Sequence, residues 1–448
     1  MNQISLAQDR EPRRATTSAP RRDKPEPPQK THTDYTVGWI CALPVEVAAS
    51  KAMLDQYHSP LPQGGNDHNV YTLGELNGHN IVIACLPSGV YGSSSASTVA
   101  AQMLNTFPAI RFSLMVGIGG GVRSYYTADV RLGDVVVSKP TSTFGGVVQY
   151  DIGKAIGGHR IQRTGVLNRP PSILLAAISR LEADHMLNQS SIPNELEAML
   201  VKYPNMEAFS YPGAEYDLLF QPNYQHVDPN DNTCTNCSPQ YLTNRRSRRT
   251  EAPRIHYGLI ASGNQVIKDA TTRDEIAQEL GGEVLCFEME AAGLMGDFPC
   301  LVIRGICDYA DSHKNKLWQP YAAAVAAAYA KELLSVIPMT QVGNAPEARG
   351  DSNNRSFAQT PAYQDQPRIP PWQSNWEPHE PQPTAGNSSL GALSGGGLAL
   401  FALLGCPDCK IVENDRLGEM WICCQCGDGP KLMSHNVECG NCHHRMRS

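Results

Sequence analysis

From Tyr35 onward, short apolar runs alternate with longer stretches of helical texture. The runs cover residues 37–42, 81–86, 112–117, 135–138, 257–261, 284–287 and 301–306; they are dense in Val and Ile and bounded by Gly or Pro. Runs of this length fit strands buried on both faces. Helices are predicted between several of them, at 44–57, 94–106, 172–184, 273–280 and the Ala-rich 318–337. The alternation predicts an α/β fold, a mixed sheet flanked by helices in three layers. Ligands of such sheets collect at the carboxyl ends of the strands, where loops converge.

The pattern fails at both ends and once inside. Residues 1–33 are rich in Pro, Arg, Gln and Thr and show no apolar period, so they cannot offset ordering entropy and a disordered arm is expected. Arg13-Arg14 and Arg21-Arg22 are short basic pairs of the kind that can address a protein to the nucleus, although in a solvated arm such pairs are usually only charge. The α/β domain is expected to span 34–338, broken by an insertion at about 211–253 that carries Cys234-x-x-Cys237. With His226 the pair offers three metal ligands where structural zinc takes four, so the expectation here is a surface loop. Residues 339–404, dominated by Pro, Gly, Asn and Ser, read as a flexible linker, and 405–448 as a small cysteine-rich module.

Composition narrows the function classes. The 37 basic and 44 acidic residues give a net charge of −7, which excludes a surface built throughout to neutralise nucleic-acid phosphates. The apolar run at 398–404 falls far short of the roughly 20 residues that cross a bilayer, so no membrane association is expected. No apolar leader is visible, and an intracellular setting follows as the expectation, cytoplasmic or nuclear, with reduced thiols. Of 14 cysteines, seven lie between 406 and 442. Cys423-x2-Cys426 and Cys439-x2-Cys442, twelve residues apart, have the spacing that presents four thiolates tetrahedrally to zinc. Cys406-x2-Cys409 adds a further knuckle, and its pairing with Cys424 and His443 or His444 stays open. So small a segment lacks an adequate core and should fold on a structural zinc as a ribbon-like module. Whether it is purely structural or recognises a protein or RNA is equally open.

Four segments place polar or small residues just past a predicted strand: Cys41-Ala42-Leu43-Pro44-Val45-Glu46, Val116-Gly117-Ile118-Gly119-Gly120-Gly121, Phe287-Glu288-Met289-Glu290-Ala291-Ala292 and Arg304-Gly305-Ile306-Cys307-Asp308-Tyr309-Ala310-Asp311. Singly they say little. Glycines serve tight turns in any α/β protein, and a carboxylate near a helix start often only complements the dipole.

Together and in this order the segments resemble the purine and uridine phosphorylase superfamily, most closely the nucleosidases acting on methylthioadenosine and S-adenosylhomocysteine. Ser88-Gly89-Val90-Tyr91-Gly92, Leu132-Gly133-Asp134-Val135-Val136-Val137 and Gly258-Leu259-Ile260-Ala261-Ser262-Gly263-Asn264 support the match, which covers about 35–337 apart from the insertion. Gly145-Gly146-Val147-Val148-Gln149-Tyr150-Asp151 is similar to the fungal members attached to regulatory or repeat modules.

The resemblance implies a purine nucleoside or nucleotide as substrate, no catalytic cofactor and a homodimer. It implies that Asp308 protonates the purine N7, that Glu290 accepts from the ribose hydroxyls over Met289, and that Glu46 and Arg304 hold the attacking water. Glu288, Gly119, Gly120, Ile118, Val266 and Ile267 are the further implied substrate-lining positions, with Val266 replacing an aromatic and Ile118 a small hydroxyl residue. Phosphorylases of the superfamily need cations for phosphate, typically a Gly-Asp-Pro-x-Arg loop; here Ala42-Leu43-Pro44-Val45-Glu46 stands in its place, and its carboxylate would repel phosphate. Hydrolysis is expected over phosphorolysis. A catalytically silent nucleoside-binding scaffold is the remaining alternative, disfavoured because a pure binder gains nothing from buried acids. Arg123, Arg131, Lys154, Arg160, Arg163 and Lys268 are the cations available for a 5′ phosphate.

Overall fold

The computed structural model describes residues 30–123, 128–141, 143–156, 160–188, 190–228 and 233–349, and the backbone of three short strands further on. The strands are β1 (Val37–Cys41), β2 (Gln56–Tyr57), β3 (Tyr71–Leu76), β4 (His79–Cys85), β5 (Phe112–Gly121), β6 (Val135–Ser138), β7 (Val147–Gln149), β8 (Gly153–Ile156), β9 (Arg160–Arg163), β10 (Ile255–Ser262), β11 (Val284–Glu288) and β12 (Cys300–Asp308). The helices are α1 (Pro44–Met53), α2 (Ser93–Thr106), α3 (Ser172–Leu187), α4 (Ile192–Lys202), α5 (Ala270–Glu279), α6 (Ala292–Met295), α7 (Gln319–Ser335) and α8 (Met339–Asn344).

Each of the seven apolar runs between 37 and 306 forms a strand, and β1, β11 and β12 are buried along their whole length, as a doubly covered sheet requires. A mixed, ten-stranded sheet runs in the order β11-β10-β6-β12-β5-β1-β4-β3-β2, with β7 beside β10. One block, β12, β5, β1 and β4, is parallel within itself; the other, β6, β10, β7 and β11, is too. The blocks meet antiparallel twice, β12 with β6 and β11 with β5, so β11-β10-β6-β12-β5 closes on itself. At the second joint Phe287 pairs with Gly120, which brings together the carboxyl ends of two strands that run in opposite directions.

Helices cover both faces. In β1, whose side chains alternate between faces, a Cβ on Gly38 would meet Met103 of α2, whereas Cys41 contacts Ser50 of α1. The Ala-rich α7 lies against β5 and β12, with Ala322 to Ala324, Ala326 to Ala328 and Ala330 all buried. Trp39, Phe112, Trp318 and Tyr329 fill the core with no exposed surface. No helix among the described residues is long and apolar enough to cross a membrane.

Three features differ from the sequence-based expectation. Helix α1 ends at Met53 rather than 57, because Leu54 turns extended and Gln56–Tyr57 pairs with β3. The glycines of 117–121 do not form a turn: they continue β5 as extended backbone. Beyond 338 the chain keeps packing, through α8 with Val342 buried and through Ala348 N–H donating to Ile110. The insertion is also pinned to the domain, since Arg248 pairs with the buried Asp134 at 2.6 Å and Arg245 Nη1 donates to the Tyr309 hydroxyl at 2.7 Å. Nearer the C-terminus, strands Lys410–Asn414, Gly418–Ile422 and Lys431–Leu432 form an antiparallel sheet. Cys406, Cys409, Cys423, Cys426, Cys439 and Cys442, with the expected zinc, lie outside the described residues.

The close seat of α7 depends on Gly305, where an added Cβ would overlap the Ala322 backbone carbonyl. A backbone carbonyl cannot swing aside, so Gly305→Ala must lift the helix from β12. The variant is expected to lose about 1–3 kcal/mol of stability, read as a lower urea midpoint at unchanged slope. An unshifted midpoint would contradict this contact.

Candidate active site

Four chain segments converge where the two sheet blocks meet. With Tyr91, Gln265, Val266, Ile267, Lys314, Lys316 and Gln319 from elsewhere in the chain, they form a cavity of about 420 Å³, to which they contribute Ala42, Leu43, Glu46, Ile118, Gly119, Gly120, Phe287, Glu288, Met289, Glu290, Cys307, Asp308 and Ala310. Glu46, Glu290 and Asp308 therefore share one cavity, with Glu288, Met289, Ile118, Gly119, Gly120, Val266 and Ile267 around them. Arg304 lies buried behind the wall rather than in it.

Arg304 on β12 has no exposed surface, yet arginine cannot shed its charge. Its Nη2 is hydrogen-bonded to Glu288 Oε2 and lies 3.5 Å from Glu290 Oε2, while Nη1 lies 3.5 Å from the Ile118 carbonyl. Burial opposes the guanidinium charge, but Glu288, then Glu290 and Glu46, outweigh it and hold the group above its ordinary pKa. The glycines of β5 make room for this arrangement. A Cβ on Gly117 would strike Glu46 and Arg304, one on Gly119 the Cys286 sulfur, and one on Gly120 the Asp308 carboxyl.

Glu46 sits in the first turn of α1. The Ala42 and Leu43 N–H groups donate to its Oε2 at 2.6 and 2.9 Å, and Ile118 N–H to its Oε1 at 2.8 Å. The helix-capping role that such a residue often has is thus real, and the same bonds aim the carboxylate at the cavity. Burial raises its pKa against the pull of Arg304 and these backbone donors. Glu288 is consumed differently: it accepts from Glu290 N–H at 3.1 Å and Ala291 N–H at 3.0 Å, besides Arg304. That makes it a brace for the Met289-Glu290 turn more than a free ligand.

Asp308 ends β12. Ala310 N–H donates to its Oδ1 at 2.9 Å from a residue held at φ 50°, and Cys307 Sγ approaches Oδ2 at 3.1 Å. Lys314 Nζ stands 3.1 Å from the same Oδ2. Burial lowers the Lys314 pKa, and Asp308 more than reverses this. Lys314, Lys316, Gln265, Gln319 and Tyr91 are cavity residues that no sequence signal assigned, although Tyr91 lay in a supporting motif. Among the described side chains, Arg123, Arg131, Lys154, Arg163 and Lys268 do not line this cavity; that of Arg160 is outside them.

With this geometry in view, the chain is an α/β protein with an acidic cavity at the closure of a mixed sheet. The chain belongs to the phosphorylase superfamily, whose family model matches residues 36–336. A nucleotide-binding leucine-rich repeat-like protein of Hyaloscypha variabilis is 48% identical over 313 residues, 69% of this chain but 30% of that protein's length. The 5′-methylthioadenosine/S-adenosylhomocysteine nucleosidase of Mycobacterium bovis is 24% identical over 310 residues, 68% of this chain and 97% of the relative. Among solved structures, the corresponding nucleosidase of S. pneumoniae with a transition-state inhibitor aligns at 18% identity and a TM-score of 0.42, over 68% of this chain and 100% of that one.

Glu290 gives the site a pH signature. Burial first, then Glu288 and Glu46, push its carboxyl up to about 7 against the pull of Arg304, from an ordinary 4.5. Between these values the folded chain holds a proton that the unfolded chain lacks, so stability present below 4.5 is lost as pH rises through 7. Glu290→Gln, which cannot ionise, should flatten that loss by on the order of 3 kcal/mol between pH 4.5 and 8 in denaturant titrations. An identical pH slope in parent and variant would contradict the shift.

Proposed function

We propose that this domain hydrolyses the N-glycosidic bond of a purine nucleoside or nucleotide. The observation that carries the reading is the common cavity of Glu46, Glu290 and Asp308, in whose lining the only cations among the described residues, Lys314 and Lys316, are close in sequence to Asp308, with none supplied by the Glu46 segment. Membership of the superfamily and the named activity of the mycobacterial relative support the reaction class.

In this reading a water attacks C1′ of the ribose as the bond from C1′ to N9 breaks, and its electrons pass to the purine. Asp308 delivers a proton to N7, since an anionic purine leaves poorly and a placed acid contributes about a hundredfold to ten-thousandfold. Glu290 holds the ribose hydroxyls, and its ionised form, gained as pH rises through about 7, favours the oxocarbenium-like transition state over the ground state. Glu46 takes the water's proton. A carboxylate has about four acceptor positions; three of those of Glu46 are filled by backbone donors, which leaves one for the water. Arg304 positions the carboxylates from behind. Lys314 sets a second proton donor beside the departing base.

The half-exposed Val266 offers the base an aliphatic wall where the nucleosidases place an aromatic, so base preference rests more on polar contacts at Gln265, Lys314 and Gln319. The expected outcome on adenosine, ATP and methylthioadenosine is free base with a free ribosyl product, at a rate independent of phosphate. Asp308→Asn should lower kcat by about a hundredfold or more with nucleoside binding retained. Ribose 1-phosphate as product would contradict hydrolysis, and binding without turnover in the parent would establish a silent receptor.

A further inference from the structure

The insertion does more than cross the surface. Its Cys-Thr-Asn-Cys stretch closes a tight turn in which Cys237 N–H donates to the Cys234 carbonyl at 3.1 Å. His226 folds back onto this turn, and the ligand atoms of His226, Cys234 and Cys237 all lie within 4.8 Å of one another. Cys237 is buried, which suits a soft-ligand site screened from water.

The imidazole of His226 supplies a second observation. Its Nδ1 lies 2.8 Å from the Asp228 carbonyl and its Nε2 2.8 Å from the Thr233 carbonyl. A neutral imidazole has one N–H and satisfies only one of these oxygens, so the other contact calls for a second proton on the ring or a cation at that nitrogen. A metal ion on one nitrogen, with the other donating to a backbone carbonyl, is the usual setting of a metal-bound histidine, and here it requires the carbonyl facing the metal to turn aside. A third observation is the adjoining ring. His313 packs edge-on to His226 with centroids 5.4 Å apart, and its buried Nε2 has no hydrogen-bond partner among the described residues.

We propose that His226, Cys234 and Cys237 bind a zinc ion, with a water in the fourth position. Two thiolates and an imidazole are a borderline-soft donor set suited to zinc over calcium or magnesium. The site would fasten the insertion to the segment that carries the acidic end of the cavity. His226 N–H donates to Ser312 Oγ at 3.0 Å, and Phe220 and Tyr224 stack on His313 at 4.0 and 5.6 Å. Ser312 and His313 directly precede Lys314, the partner of Asp308. The ion is thus a positioning element for that loop, and its presence does not depend on the proposed reaction.

Metal analysis of the full chain tests this in two backgrounds. With Cys406, Cys409, Cys423, Cys426, Cys439 and Cys442 all changed to Ser, the chain purified under reducing conditions should retain one zinc per molecule. Loading the same chain with cobalt(II) should give the visible bands and thiolate charge-transfer absorption of a tetrahedral site. Adding Cys234→Ser or, separately, His226→Ala should each abolish the zinc, whereas Cys85→Ser, at a half-buried thiol elsewhere, should not. Circular dichroism reports whether each variant folds, and in the unaltered chain the same two changes should remove one zinc equivalent. No zinc in the tail-substituted chain, unchanged zinc in both variants, or recovery of Cys234 and Cys237 as a disulfide would overturn the proposal.

Discussion

One buried cation sets the terms for the rest of the site. Arg304 stands at the centre of the sheet with no access to water, bonded to Glu288 and close to Glu290 and Glu46. Desolvating a guanidinium costs several kcal/mol, and so does desolvating each carboxylate; only their mutual attraction and added backbone donors offset this. Removing the arginine would leave buried acids facing one another, and removing the acids would leave a stranded cation. The cluster must therefore be assembled as a unit. That requirement explains why β5 is stripped of side chains at Gly117, Gly119 and Gly120: the space beside the strand is already taken by Arg304, Glu46, Cys286 and Asp308. It also explains why Glu288 spends its oxygens on backbone and guanidinium, since a brace is needed before Glu290 can present a carboxylate to the cavity.

The topology delivers this cluster. Two parallel blocks of opposite direction, joined twice, bring the ends of β5 and β11 side by side, so that Gly120 and Phe287, far apart in sequence, become neighbours. Helix cover on both faces is common to many α/β sheets; the closure of five strands is what creates a walled cavity at their ends.

Much of this was legible in the order of residues. The strands announced themselves because doubly buried strands must be continuously apolar, and the carboxylates because each follows such a run. What escaped did so for physical reasons. The glycines of 117–121 look identical in sequence whether they bend the chain or make room beside it, and only the neighbours decide. Lys314 follows Asp308 by six residues with no local pattern, its meaning coming from a turn through Ala310. The His226, Cys234 and Cys237 cluster was visible as composition but not as convergence, which depends on the insertion folding back upon itself. Strand β3, which mixes buried and half-buried positions, lacks the continuous apolar run of the core strands.

The central claim is that the acids gathered around Arg304 receive a nucleoside. A crystal structure of the chain with a non-hydrolysable purine nucleoside analogue tests it most directly. The ribose hydroxyls should lie on Glu290, the imidazole edge of the base on Asp308, and a water between Glu46 and C1′. An analogue bound elsewhere, or bound in this cavity without touching Glu290 and Asp308, would contradict it.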